Sequence, residues 1–198
     1  MVVDNLKNSR SAQASIEPMF TERWSSKSFS GEPLTEDQIA SLFEAAHWAP
    51  SSGNGQPWLF VYATDGPDRE RLNTVLEVDE VNALYSPKAP LFILVFARTV
   101  REDGRKMRTG QFDTGAAWMS LALQANRMGL NTRAMGGIDL DLAYEVAGVP
   151  SEYFETVCAI SVGERGTDDD LHPRMVKENF ANTRKDVSEI AFKGKFAE

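Results

Sequence analysis

Ala49-Pro50-Ser51-Ser52-Gly53-Asn54-Gly55-Gln56-Pro57-Trp58 stands between a helical pattern and a strand pattern and has the composition of neither. Prolines fix the chain near both ends, and Gly53 and Gly55 permit a turn or a close approach. Ser51, Ser52, Asn54 and Gln56 offer hydrogen-bonding groups without charge. Two readings are open: a brace between helix and strand, or one wall of a site for a neutral polar ring or a sugar-like chain.

Working outward from this loop, Leu34-Thr35-Glu36-Asp37-Gln38 predicts a helix start. Thr35 and Gln38 form a capping box, Glu36 and Asp37 complement the helix dipole, and Ile39, Leu42, Phe43 and Ala46 share a face. The helix should stop near Trp48, because Ala49 precedes a proline; His47 then falls in its last turn as a favourable cation. On the other side, Trp58 to Ala63 predicts a strand, and a helix follows from Pro67 to about Val78. Residues 79 to 90 read as irregular. Leu91 to Ala97 is apolar on both faces and predicts a central strand covered from both sides.

Farther along, the spacing predicts a long helix over Gln111 to Met128, a short strand over Thr132 to Met135, a helix from Asp139 to Ala147 and a buried strand over Thr156 to Val162. A short helix is expected from Ser11 to Phe20, weakened by Pro18. Helices alternating with about four strands indicate a layered α+β or α/β domain. The expected division is an N-terminal arm over 1–17, a body over 18–175, and an extension over 176–198 that packs on the body or on a partner. Phe180, Val187, Ile190, Phe192 and Phe196 are the apolar anchors of that extension.

The chain has 198 residues and a net charge of -8, with a pI near 4.9. That balance argues against nucleic acid or an anionic membrane as partners, so any anion must be held by a local cluster of cations. A lone cysteine, Cys158, in an apolar run reads as core. No basic-then-apolar leader pattern is present, and the longest apolar run is too short to span a bilayer; the expectation is a soluble, cytoplasmic protein. Two distant histidines and one cysteine make a metal site improbable, and phosphate-loop, nucleophile-elbow and dinucleotide-fold signatures are absent.

What remains is a set of grips. Arg23-Trp24-Ser25-Ser26-Lys27-Ser28-Phe29 interleaves two cations with hydroxyls, a pattern suited to phosphate. To it are added the serine-rich loop, the Gly136-Gly137 turn and Arg174 beyond the last strand. Grips without a nucleophile suggest that a cofactor performs the reaction.

Arg-x-Ser-x-Lys-x-Phe at 23–29, Ala-Pro-Ser-Ser-x-Asn-x-Gln-Pro-Trp at 49–58 and the glycine pair after the long helix resemble, in order and spacing, the FMN-dependent nitroreductase family. The resemblance covers roughly residues 18 to 175. It implies an α+β fold with a central mixed, mainly antiparallel sheet flanked by helices, and an intertwined homodimer with FMN at the interface. It also implies ping-pong hydride transfer from NAD(P)H, NADPH included, to an electron-poor acceptor such as a nitroaromatic or quinone.

By position, the resemblance assigns Arg23, Ser25 and Lys27 to the phosphate, ribityl and pyrimidine sides of the flavin. Pro50, Ser51, Ser52 and Asn54 would come from the partner, and Gly136 and Gly137 would lie near the flavin N5. Arg174, with His172 beside it, would reach the phosphate. Trp24 and the Arg101–Gly110 loop with Phe112 are candidates for the pocket roof. His172 departs from the usual basic residue, and Gly136 from the larger or acidic residue common there. Relatives that act on enals, semialdehydes, halogenated compounds or the flavin itself, or a flavin-binding protein without turnover, are the alternatives.

Overall fold

The computed structural model describes residues 8–196; residues 1–7 of the expected arm lie outside them. The architecture follows from the apolar strand Leu91–Arg98, here β2, whose side chains alternate between two buried faces. Leu91, Ile93 and Val95 face one core, while Phe92, Leu94 and Phe96 face another. A strand that must bury both faces becomes the centre of a three-layer sandwich.

Trp58–Ala63 forms β1, Leu130–Met135 forms β3 and Phe154–Glu164 forms β4. The sheet order is β1-β2-β4-β3, so β1 and β3 are its two edges. All three pairings are antiparallel; the sheet among the described residues is therefore antiparallel rather than mixed. On one face lie α2 (Glu36–His47) and α5 (Gly110–Arg127), contributing Leu42, Ala46, Ala117, Leu121 and Ala125. The other face is covered by α3 (Gly66–Asn73), α4 (Glu80–Tyr85) and α6 (Leu140–Ala147), with Leu72, Tyr85 and Ala143 in the core.

The capping box of α2 forms as its sequence dictates: the Thr35 hydroxyl accepts the Gln38 N–H, and Gln38 Oε1 accepts the Thr35 N–H at 2.8 Å. Asp139 caps α6, and Gly148 ends it in the left-handed conformation.

Two expectations are corrected. The helix expected from Ser11 is only α1, Met19–Glu22, because Pro18 serves as its N-cap and residues 8–17 take no helical turn. Residues 79 to 90 are not irregular: they form α4 followed by a 3-10 turn over Ser86–Lys88. The Asp79 side chain starts α4 by accepting the Val81 and Asn82 N–H groups. Arg69, buried in α3, holds its far end by donating to the Ser86 carbonyl at 3.0 Å.

Among the described residues no helix is long and apolar enough to cross a membrane. After β4 the chain passes through α7 (Pro173–Val176) and returns towards the N-terminal arm. Arg10 Nε donates to the Asn182 carbonyl at 2.7 Å, the Val187 N–H donates to Gln13 Oε1 at 3.1 Å, and Gln13 also bonds Asp186.

Candidate functional site

Residues 23–29 follow α1 as an extended segment whose backbone is held from three sides. Asn131 of β3 accepts the Ser26 N–H at 3.2 Å and donates to the Ser26 carbonyl at 3.0 Å. From the C-terminal segment, Asn179 Oδ1 accepts the Lys27 N–H at 2.8 Å and the Ser26 hydroxyl at 3.2 Å. Ser28 donates its hydroxyl to the Thr167 carbonyl at 2.6 Å. Ser26, Lys27, Ser28, Asn131 and Asn179 are all buried, so these bonds fix the segment in place.

So held, Arg23, Trp24, Ser25 and Lys27 line a cavity of about 380 Å³. Arg10 from the arm, Arg133 from β3, and Glu178, Phe180, Asn182 and Arg184 from the C-terminal segment complete it. Five cations and one carboxylate thus converge in a chain whose net charge is -8. Burial first, and then repulsion from Arg184, lower the pKa values of the Arg10 and Arg23 guanidiniums; Arg10 is lowered further by Arg23. Arginine stays charged, so the repulsion is a standing cost that a bound anion relieves.

Lys27 Nζ lies 2.8 Å from Glu178 Oε2. That hydrogen bond and the ammonium charge hold the Glu178 carboxyl below its usual pKa. Trp24 is only 4 % exposed, and the Arg165 guanidinium covers its ring at 4.6 Å. It serves as a packed floor more than a roof.

The Gly136-Gly137 turn leaves the end of β3 and is joined to the cavity by a buried relay. Asn82 Nδ2 donates to the Gly137 carbonyl at 2.9 Å, and Tyr85 OH donates to Asn82 Oδ1 at 2.6 Å. Arg133 Nε in turn donates to the Tyr85 oxygen at 2.6 Å, and Arg133 Nη1 donates to the Ser25 carbonyl at 2.7 Å. A side chain at Gly137 would run into the Asp79 carboxylate, whereas the space beside Gly136 is open. Burial raises the Tyr85 pKa, against the opposing pull of Arg133.

The serine-rich loop lies elsewhere. It enters β1, at the opposite edge of the sheet from β3. Three strand spacings of about 4.8 Å put these edges about 14 Å apart. The loop is shaped by specific contacts: buried Asp113 of α5 accepts the Ser52 N–H at 3.0 Å and the Thr109 hydroxyl at 2.9 Å. Ser51 Oγ accepts the Gln56 N–H at 3.0 Å. Asn54 and Gln56 take φ values of 53° and 42°, conformations uncommon outside glycine that concentrate at functional loops. Pro50, Ser52 and Asn54 are exposed and Ser51 is half-buried. One chain therefore does not bring them to the Arg23–Lys27 cavity.

His172 and Arg174 do not line the cavity either. His172 Nδ1 accepts the Arg174 N–H at 3.3 Å as the N-cap of α7, and both side chains are exposed. Phe112, on the first turn of α5, is 81 % exposed, and Arg101 donates to the Ser52 carbonyl at 3.4 Å. The cations that sequence reasoning missed are Arg10, Arg133 and Arg184. The only signal for Arg184 was a basic pair with Lys185 in a tail of apolar anchors, and for Arg133 a charge within a short strand.

Residues 20–164 match the model of the nitroreductase family. A solved structure described as an oxidoreductase containing FMN is 31% identical, with a TM-score of 0.90, covering 96% of this chain and 97% of its own. A nitroreductase family protein from Clostridium difficile 630 shares the fold, with a TM-score of 0.70 at 20% identity over 92% of this chain and 100% of its own. The 5,6-dimethylbenzimidazole synthase of Rhodospirillum rubrum is 27% identical over 161 residues, 70% of this chain and 76% of that protein. A Rhodopseudomonas palustris protein provisionally named an NADH dehydrogenase/NAD(P)H nitroreductase is 25% identical over 188 residues, 83% of this chain and 93% of its own.

Proposed function

Because this chain belongs to the nitroreductase family, we propose that it is an enzyme that binds FMN and oxidises NAD(P)H, handing the electrons to an electron-poor acceptor such as a nitroaromatic or quinone. The observation that carries this reading is the surplus of cations around one cavity of an acidic protein, on the segment that bears the Arg-x-Ser-x-Lys pattern. Held there by Arg23, Ser25 and Lys27, FMN would supply two-electron redox chemistry between NAD(P)H and the acceptor, and donor and acceptor using one pocket in turn makes ping-pong kinetics the expected form.

The residues present fit that group. Arg10, Arg23 and Arg184 supply a cluster of mutually repelling cations for a phosphate dianion, and Arg23 and Ser25 are already linked at 3.4 Å. Lys27 offers a point charge for the pyrimidine edge. The exposed backbone N–H groups at Gly136 and Gly137 would be available to the ring without side chains in the way. Arg184, rather than Arg174 or His172, takes the phosphate role.

Pro50, Ser51, Ser52 and Asn54 would serve the cavity of a second copy of the chain; in support, they sit at the sheet edge opposite β3 and do not line the cavity of their own chain. The active form is then a homodimer with two FMN sites between subunits.

One spectrum tests the reading. Purified protein incubated with FMN and freed of excess ligand should show flavin absorbance, lose it with NADPH under argon, and regain it on adding a quinone. Absorbance that never returns would point to consumption of the flavin, one of the alternative chemistries that the family resemblance implies. Protein that stays colourless and sediments as a single subunit would overturn the proposal.

A further inference from the structure

The cavity's cations fall into three groups that differ in what compensates them. Arg10, Arg23 and Arg184 crowd one another and so suit a phosphate. Lys27 is the cation that the sequence pattern offers to the ring, yet it is paired with Glu178 at 2.8 Å, which cancels much of its charge. Glu178 itself is largely exposed, at 64% of its side chain, and belongs to the segment pinned to Lys27 by Asn179.

Arg133 stands apart from both arrangements. Its two bonded nitrogens meet a phenol oxygen and a backbone carbonyl, both neutral, and among the described residues it makes no ion pair. Its guanidinium carbon lies 5.2 Å from the Tyr85 ring centre, so the ring face and the hydroxyl together orient it. Tyr85 is 2 % exposed and is itself fixed by Asn82, which also holds the Gly137 carbonyl. A full positive charge is thereby carried on a rigid mount between the Ser25 side of the cavity and the glycine turn.

Resting on the FMN reading above, we propose that Arg133, oriented by Tyr85, is a main stabiliser of the extra negative charge that the cofactor acquires on reduction, and that Glu178 holds back Lys27 in the same role. Hydride from the nicotinamide brings two electrons and one proton, so the bound group gains one unit of negative charge while the nicotinamide leaves with one unit more positive. A cation without a carboxylate partner responds to that gain more strongly than one already paired. Tyr85 acts through Arg133 and is a positioning residue.

The test compares affinities for the two oxidation states of FMN. The dissociation constant for oxidised FMN is read by fluorescence quenching, and the two-electron midpoint potential by equilibration with a redox dye at pH 7. Arg133→Gln should weaken binding of reduced relative to oxidised FMN by about tenfold, which for a two-electron couple is about 30 mV towards lower potential. Arg133→Lys should restore most of that shift, and Tyr85→Phe should move the potential in the same direction by less. Glu178→Gln should move it the opposite way, by freeing Lys27.

An Arg133→Gln variant that binds both states more weakly by the same factor, leaving the potential unchanged, would overturn the proposal for Arg133. If that variant fails to fold, the exposed Glu178→Gln still decides: a potential that stays put or falls would sink the inference. Wild-type protein that takes up no FMN would instead remove the functional reading on which this rests.

Discussion

Asn179 Oδ1 accepts the backbone N–H of Lys27 at 2.8 Å, although the two residues are 152 positions apart and both are buried. The same oxygen accepts the Ser26 hydroxyl at 3.2 Å, so one amide ties the C-terminal segment to the centre of the candidate site. Asn179→Ala leaves the Lys27 N–H without its acceptor and should cost about 1–3 kcal/mol. Urea unfolding is the check, and FMN affinity should fall with stability. An unchanged midpoint would show that water replaces the amide without penalty.

Gly136 and Gly137 are adjacent and exposed but are not equivalent. A Cβ at Gly137 has no room beside the Asp79 carboxylate and the Asn82 amide, while at Gly136 it meets nothing within 4 Å. Gly137→Ala should cost about 1–3 kcal/mol and weaken FMN retention, because the turn must move. Gly136→Ala should change stability by less than about 0.5 kcal/mol. Paired thermal melts would separate the two, and equal losses would contradict the geometry.

Asp113 shapes the serine-rich loop without belonging to it. Replacing it with Ala orphans the Ser52 N–H and the Thr109 hydroxyl and should cost about 1–3 kcal/mol. Amide exchange at Ser52 and proteolysis within 51–56 should accelerate, with β2 unaffected. Loss of protection throughout the sheet would mean that Asp113 supports the core instead.

Burial pushes the Cys158 thiol up from 9.0 to about 12, so near pH 8 its thiolate fraction should fall about a thousandfold relative to the unfolded chain. Iodoacetamide should label it slowly in the native protein and readily in urea. The sign for stability follows: a folded value above the unfolded one contributes fully below pH 9 and is lost as the pH rises towards 12. Unfolding at alkaline pH should therefore be milder in Cys158→Ala, once its lost packing is subtracted at pH 7.

Where local chemistry decides structure, the sequence was readable. The capping box at Thr35 and Gln38, the apolar strand over Leu91–Ala97 and the cation-hydroxyl pattern at 23–27 each carry their meaning within a few residues. Helix α4 was not readable, because six residues make too few turns for a periodicity; its start depends on Asp79 and its packing on Arg69 in another helix. Arg10, Arg133 and Arg184 escaped notice for a related reason. They are far apart in sequence, at positions 10, 133 and 184, and only the closing of arm, strand and tail upon one another makes them a set.

The placement of the serine-rich loop and the cationic cavity on opposite borders of one sheet bears on how damage is inherited. A polypeptide with a ruined loop still carries a sound cavity, and one with a ruined cavity still carries a sound loop. In the proposed homodimer, two such inactive variants unfolded together and allowed to reassemble at random should rescue about a quarter of all sites, since half of the pairs are mixed and each mixed pair rebuilds one of its two centres.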